Sequence, residues 1–234
     1  MRDDPLIGAK RLEPPKLDLW LLPQGAVYDA AHRTLFVADV HLGKADSFRR
    51  LGVPVPDGPN QRSLARLSEL IDRHDTAQLV FLGDLVHDYL PGSHALYQQL
   101  ADWRARHNHV QMTLVVGNHD RKAGGLPDEC GIASVASGAV SHGLCLLHEP
   151  ALPTGHTGEF GLAGHIHPVT HIRSRSDSVR VKCFWSQPGL LVLPAFGDFT
   201  GGYRIDIQAT DRVYITDGYA VHRLPNQRDQ QRAA

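Results

Sequence analysis

TLFVADVH, residues 34–41, is a short β-rich run that ends in an aspartate and a histidine separated by one valine. Two later stretches end the same way. QLVFL (78–82) is followed by Gly83-Asp84, and MTLVV (112–116) by Gly117-Asn118-His119-Asp120. Between the three runs lie two amphipathic segments. SLARLSELIDRH (63–74) puts Leu64, Leu67, Leu70 and Ile71 on one helical stripe, and HALYQQLADWRARH (94–107) repeats the pattern. The βαβαβ rhythm predicts a parallel sheet covered by helices.

Beyond about residue 140 the helical signals stop. LCLL (144–147), FGLA (160–163), VRVKCFW (179–185), LLVL (190–193), YRIDI (203–207) and RVYIT (212–216) read as strands, with TDGYA as a hairpin turn. They predict a second, more antiparallel sheet packed on the first. The fold class expected is α/β, a sandwich of two mixed β-sheets flanked by helices. It would occupy residues 19–224 as one domain, after an N-terminal extension (1–18) and before a polar tail (225–234).

Composition narrows the partners. The 234 residues carry a net charge of −1, so a surface that coats nucleic acid would have to be a local patch. No apolar run approaches the ~20 residues of a membrane span, and the N-terminus lacks a signal-peptide core. A cytoplasmic protein is expected. Cys130, Cys145 and Cys183 have unrelated spacings, which points to buried free thiols rather than a disulfide frame or a thiolate zinc site.

The strand ends share a chemistry. Asp39 and His41, Asp84, Asn118, His148, and His165 and His167 each follow an apolar run. Ligands in open α/β sheets bind beyond the carboxyl ends of strands, so these side chains are expected to converge. One aspartate after a strand is ordinarily a turn residue; the series is not. Seven nitrogen and oxygen donors without a thiolate suit two divalent ions ~3.5–4 Å apart that share a carboxylate. The donor chemistry favours Mn²⁺, with Fe or Zn²⁺ as alternatives. In LAGHIHPVTH (162–171), an extended chain would point His165 and His167 to one side, roughly 6–7 Å apart, each toward a different ion. Pro168 would then stop the strand.

The ordered series D-x-H, G-D, G-N-H-D, H and G-H-x-H resembles the calcineurin-like metallophosphoesterase superfamily. The resemblance implies Asp39, His41 and His167 on one ion and Asn118, His148 and His165 on the other, with Asp84 bridging. It also implies His119 as a catalytic histidine beside the scissile phosphate, and Asp120 orienting its ring. More of the chain (FVADVHLGKADSFRRLGVPVPDG, FLGDLVHD, GNHDRKAG, LLHEP, LAGHIHP and LVLPAFGDFTGG) is similar to the ligase-associated metallophosphoesterases of bacterial DNA-repair gene clusters. That similarity implies a Mn-dependent endonuclease on single-stranded DNA, working with a DNA ligase and helicase.

Around the motifs, Lys44 and Arg49 are the basic residues best placed to bind substrate. His87 would either touch a substrate phosphate or be a surface histidine. Arg50, Arg121, Lys122, Arg173, Arg175, Arg180 and Lys182 read mainly as solvated surface. Phe184, Trp185, Phe196 and Phe199 offer either stacking faces for bases or a sheet core. The competing function is a phosphoesterase or pyrophosphatase on a nucleotide-linked small molecule or lipid, although no amphipathic acyl-binding cap is evident. A non-catalytic scaffold ranks last, because every motif position is intact.

Overall fold

In the computed structural model, residues 5–13, 17–56, 58–88, 94–154, 158–173 and 177–225 are described. Arg175 and the polar tail beyond Pro225 lie outside them. The first sheet has seven strands in chain order: β1 (Lys10–Arg11), β2 (Leu19–Leu21), β3 (Val27–Asp29), β4 (Thr34–Val37), β5 (Gln78–Phe81), β6 (Gln111–Val115) and β7 (Ala133–Val135). Strands β4 to β7 are parallel, and β1 to β4 form an antiparallel meander. Strands β1 to β3 of that meander escape the sequence reading, because they are two or three residues long and show no clear alternation. Residues of the N-terminal extension therefore add an edge strand, and Leu12 is buried.

Among the described residues, four α-helices interrupt this sheet: α1 (Lys44–Arg50), α2 (Pro59–Arg73), α3 (His94–Arg106) and α4 (Asn118–Lys122). Helix α2 starts with Pro59 at its first position, where the missing N–H costs nothing. Its Leu64, Leu67, Leu70 and Ile71 stripe is buried, as the periodicity requires. Trp103 of α3 donates from its indole to the Leu64 carbonyl (3.1 Å) and the Ser68 hydroxyl (3.0 Å), tying the two helices together.

The second sheet contains β8 (Ala139–Ser141), β9 (Leu144–Leu146), β10 (Phe160–Ala163), β11 (Pro168–Arg173), β12 (Ser178–Gln187), β13 (Leu190–Val192), β14 (Tyr203–Arg204), β15 (Arg212–Thr216) and β16 (Val221–Arg223). Its pairings are mixed: β9, β10 and β13 are parallel neighbours, whereas β11, β12, β15 and β16 pair antiparallel. Pro168 does not stop a strand. It opens β11, where a residue lacking an N–H is tolerated at the strand start.

Two-residue alternation distributes each central strand between two cores. Leu35, Val37, Leu79 and Phe81 face α2 and α3, whereas Phe36, Val80 and Leu82 face the second sheet. Phe184, Leu162, Leu191 and Tyr214 meet them from the opposite sheet. Phe184 and Phe196 are therefore core residues, as are the three free cysteines. Sheet-on-sheet packing leaves the carboxyl ends of β4, β5, β6, β9 and β10 as the rim on which the motif residues sit.

Candidate metal centre

Five of the motif residues occupy a backbone region that L-residues ordinarily avoid. Asp39 (φ 55°), His41 (51°), Asp84 (51°), His165 (72°) and His167 (51°) are all left-handed. Such conformations cost about 1–3 kcal/mol each and persist only where surroundings impose them. Here the constraints are hydrogen bonds between neighbouring loops. Asp39 N–H donates to the Gly83 carbonyl (3.1 Å), His41 N–H to the Asp84 carbonyl (2.9 Å), and Gly197 N–H to the Asp39 carbonyl (3.1 Å). His165 and His167 consequently lie in a bend rather than on an extended chain, which corrects the strand geometry expected for G-H-x-H.

The donor atoms fall into adjoining groups, each within 4.8 Å: Asp39, His41 and His167; and Asp84, His148 and His165. In the first, the Nε2 atoms of His41 and His167 are 3.2 Å apart, and His167 Nε2 is 3.6 Å from Asp39 Oδ1. In the second, His148 Nε2 lies 3.0 Å from His165 Nδ1 and 2.9 Å from Asn118 Oδ1. Asp84 stands between them. Its Oδ1 is 3.5 Å from His148 Nε2, and its Oδ2 is 3.8 Å from His41 Nε2.

These residues fit divalent cations. Asp39 Oδ1 is buried and has no hydrogen-bond partner, although burying a carboxylate oxygen unpaired is costly. The outer ring nitrogen of His148 donates to the Leu82 carbonyl (3.1 Å), which turns Nε2 inward as a lone pair. Burial pushes the pKa of His41 and His165 down, so both imidazoles are held in the neutral form that ligates.

Two glycines permit this convergence. A Cβ at Gly83 would lie 2.0 Å from His148 Nδ1, and one at Gly117 would lie 2.2 Å from Asp84 Oδ1. Gly83 also has φ 87°, whereas Gly117 is extended (φ −85°, ψ 177°), so its requirement is space alone.

The G-N-H-D segment needs one correction. Asp120 does not orient the His119 ring. Its buried carboxylate accepts the backbone N–H groups of Asp84 (2.8 Å), Val86 (3.1 Å) and Gly117 (2.9 Å). It therefore ties the Asp84 loop to the loop that precedes α4. The His119 ring is held by its Nδ1, which donates to the His87 carbonyl at 2.6 Å, and its backbone N–H donates to Asp84 Oδ1 (2.9 Å).

His87 is part of the cluster rather than a surface residue. Its ring stacks on His119 at 4.5 Å, and its Nδ1 is 3.3 Å from His41 Nδ1. Burial, followed by the Lys44 charge, lowers its pKa to about 4.

The basic residues separate on inspection. Lys44 is half-buried beside His41; burial lowers its pKa, and the Asp84 and Asp39 charges act in the opposite sense. Arg49 is turned along its own helix onto Asp46 (2.8 Å). Lys182 is not surface: its ammonium donates to the Ala195 and Gly197 carbonyls, both at 2.7 Å, and desolvation lowers its pKa to about 8. Arg66 reaches the same segment: it bonds Asp198 (3.0 Å) and the Phe196 carbonyl and stacks on the Phe196 ring (4.0 Å). The sequence reading missed Arg66 and Asp198. The available signal for Asp198 was its place in LVLPAFGDFTGG, five residues beyond the apolar run LLVL.

A two-sheet sandwich that brings two His/Asp donor groups together at its strand ends, with Asp84 between them, is the arrangement expected of a metallophosphoesterase. The chain belongs to the calcineurin-like phosphoesterase family, whose model matches residues 32–206. It is similar to a solved nuclease, MPE of Pseudomonas putida, with a TM-score of 0.79 and 38% identity over 92% of this chain and 100% of that one. No curated protein matches the sequence significantly. No helix among the described residues is long and apolar enough to cross a membrane.

Proposed function

We propose that this phosphoesterase is a Mn²⁺-dependent endonuclease that cuts single-stranded DNA in repair. The observation that carries the reading is Asp84, whose two oxygens face one imidazole from each donor group. The nuclease described for the 38% identical protein supports nucleic acid as the substrate class.

In this reading Asp39, His41 and His167 would hold one cation and Asn118, His148 and His165 the other, with Asp84 available to both. Such a pair supplies Lewis acidity toward a phosphate ester and a nucleophile near neutral pH. The chain's own groups do the rest. His119, fixed through its Nδ1–H on the His87 carbonyl, would protonate the departing oxygen from Nε2 as the imidazolium and be left as the neutral Nδ1–H ring. The Lys44 ammonium, whose charge acts on the His87 ring, and that ring would contact a substrate phosphate. Arg49 would first have to leave Asp46. Asp120 is a positioning residue, acting through the backbone it gathers. The similarity of the motif series to ligase-associated phosphoesterases supports a cytoplasmic setting alongside a DNA ligase and helicase.

The test is circular single-stranded DNA, which has no ends. Linearisation that requires Mn²⁺ and an intact Asp84, and is abolished by chelator and by Asp84→Ala, is the expected result. An untouched circle alongside brisk hydrolysis of a small aryl phosphodiester would refute the endonuclease and redirect the substrate to nucleotides or lipids.

A further inference from the structure

We propose that His87 is the positioning residue of the first donor group: its Nδ1 accepts the Nδ1–H of His41 and so fixes the His41 lone pair on the cation side. The inference rests on the two-cation reading and deepens it, adding a partner that itself touches no ion. His41 Nε2 faces inward, 3.2 Å from His167 Nε2 and 3.8 Å from Asp84 Oδ2. A neutral imidazole that ligates through Nε2 carries its proton on Nδ1. That Nδ1 lies 3.3 Å from His87 Nδ1, and two facing nitrogens form a hydrogen bond only when one of them is a bare lone pair. His87 Nδ1 is therefore the acceptor. Its own proton sits on Nε2, the edge that would donate to a substrate phosphate. The partner matters because the His41 side chain is only 2% exposed, so water does not readily replace the bond.

The backbone sets the two rings side by side. Beyond the ends of β4 and β5, Leu42 N–H donates to the Leu85 carbonyl (2.8 Å) and His87 N–H to the Leu42 carbonyl (2.9 Å), with Leu42 and Val86 paired as a parallel bridge. The His87 ring then lies against His119, with 4.5 Å between centroids and 22° between planes. His119 bonds the backbone carbonyl of His87, an acceptor that survives any side-chain substitution there. His41, His87 and His119 also bring nitrogens within 4.8 Å of one another, as a third cation site would. A cation held there through His41 Nδ1 would have to displace its proton while Nε2 is already committed. The hydrogen bond needs no such loss.

The test titrates Mn²⁺ into the metal-free full-length protein by calorimetry, with three substitutions that separate the acceptor from the ring. Asparagine places its Oδ1 where His87 Nδ1 stands but cannot stack. Phenylalanine keeps the stack and has no acceptor, and glutamine moves its amide out to the Nε2 position. Wild type should take up two equivalents. His87→Phe and His87→Gln should weaken one of them about 10- to 100-fold, the usual cost of removing the partner of a ligating histidine. His87→Asn should stay within a few-fold of wild type. Thermal melting in chelator checks that each variant is folded; should His87→Phe not fold, the contrast between His87→Asn and His87→Gln decides alone. Undiminished affinity in His87→Phe or His87→Gln would overturn the positioning role. So would weakened binding in folded His87→Asn, which would make ring packing the cause. A third equivalent in wild type that His87→Phe removes would make His87 a ligand instead. Wild type that takes up no Mn²⁺ would overturn the two-cation reading along with it.

Discussion

Gly117→Ala isolates the steric demand of the centre from every other effect. The backbone at Gly117 is extended, so alanine introduces no conformational strain. Its Cβ would lie 2.2 Å from Asp84 Oδ1, 2.5 Å from Asp84 N and 3.0 Å from His148 Cε1. A carbon–oxygen contact needs about 3.3 Å, so the Asp84 carboxylate must retreat by about 1 Å. It cannot retreat freely, because its Oδ1 accepts the His119 N–H and its own N–H is held by Asp120. Overpacking of this kind costs about 1–3 kcal/mol of stability, and an ångström of misplacement costs on the order of 10²-fold in rate. We expect a folded protein, melting somewhat below wild type. It should lose about two orders of magnitude in kcat/KM on an aryl phosphodiester, and metal content measured by mass spectrometry should fall. Full turnover with full metal occupancy in folded Gly117→Ala would show that Asp84 does not lie between the two donor groups, and the reasoning would collapse.

Other consequences are equally direct. His119→Ala should slow turnover by ~10²–10⁴ while leaving bound metal intact; loss of the metal as well would make His119 a ligand instead. Lys182→Met should destabilise the fold by about 1.5–3 kcal/mol in urea unfolding, because Ala195 and Gly197 lose a charged donor within the core; an unchanged midpoint would mean that the grip is dispensable. His74 lies buried behind Tyr28, and desolvation holds its pKa at about 4 against 6.5 for the free imidazole. The unfolded chain therefore binds this proton first, and stability falls as pH drops through that interval, by up to about 2 kcal/mol at pH 5. In the presence of chelator, His74→Gln should flatten that part of the stability profile; an identical slope would assign the acid sensitivity elsewhere.

The convergence of the candidate donors was legible in the sequence because its signal is local. Each of Asp39, Asp84, Asn118, His148 and His165 follows a run whose β pattern can be read from a handful of residues, and the convergence of strand ends is a topological rule. The α2 stripe was legible for the same reason. The short strands β1 to β3 were not, since two or three residues carry no period.

What the tertiary structure alone decided is how those donors are aimed. Left-handed backbone at Asp39, His41, Asp84, His165 and His167 is not written in their residue types, because hydrogen bonds from loops far away in the chain impose it. The same holds for Asp120, adjacent to His119 in sequence yet committed to three backbone N–H groups. Lys182 reads as surface in a charged strand, but its register in β12 drives the ammonium under the 195–197 segment. Local sequence sets which chemistry is available at each strand end. The direction each group points depends on partners dozens of residues distant, and only the folded chain brings those partners together.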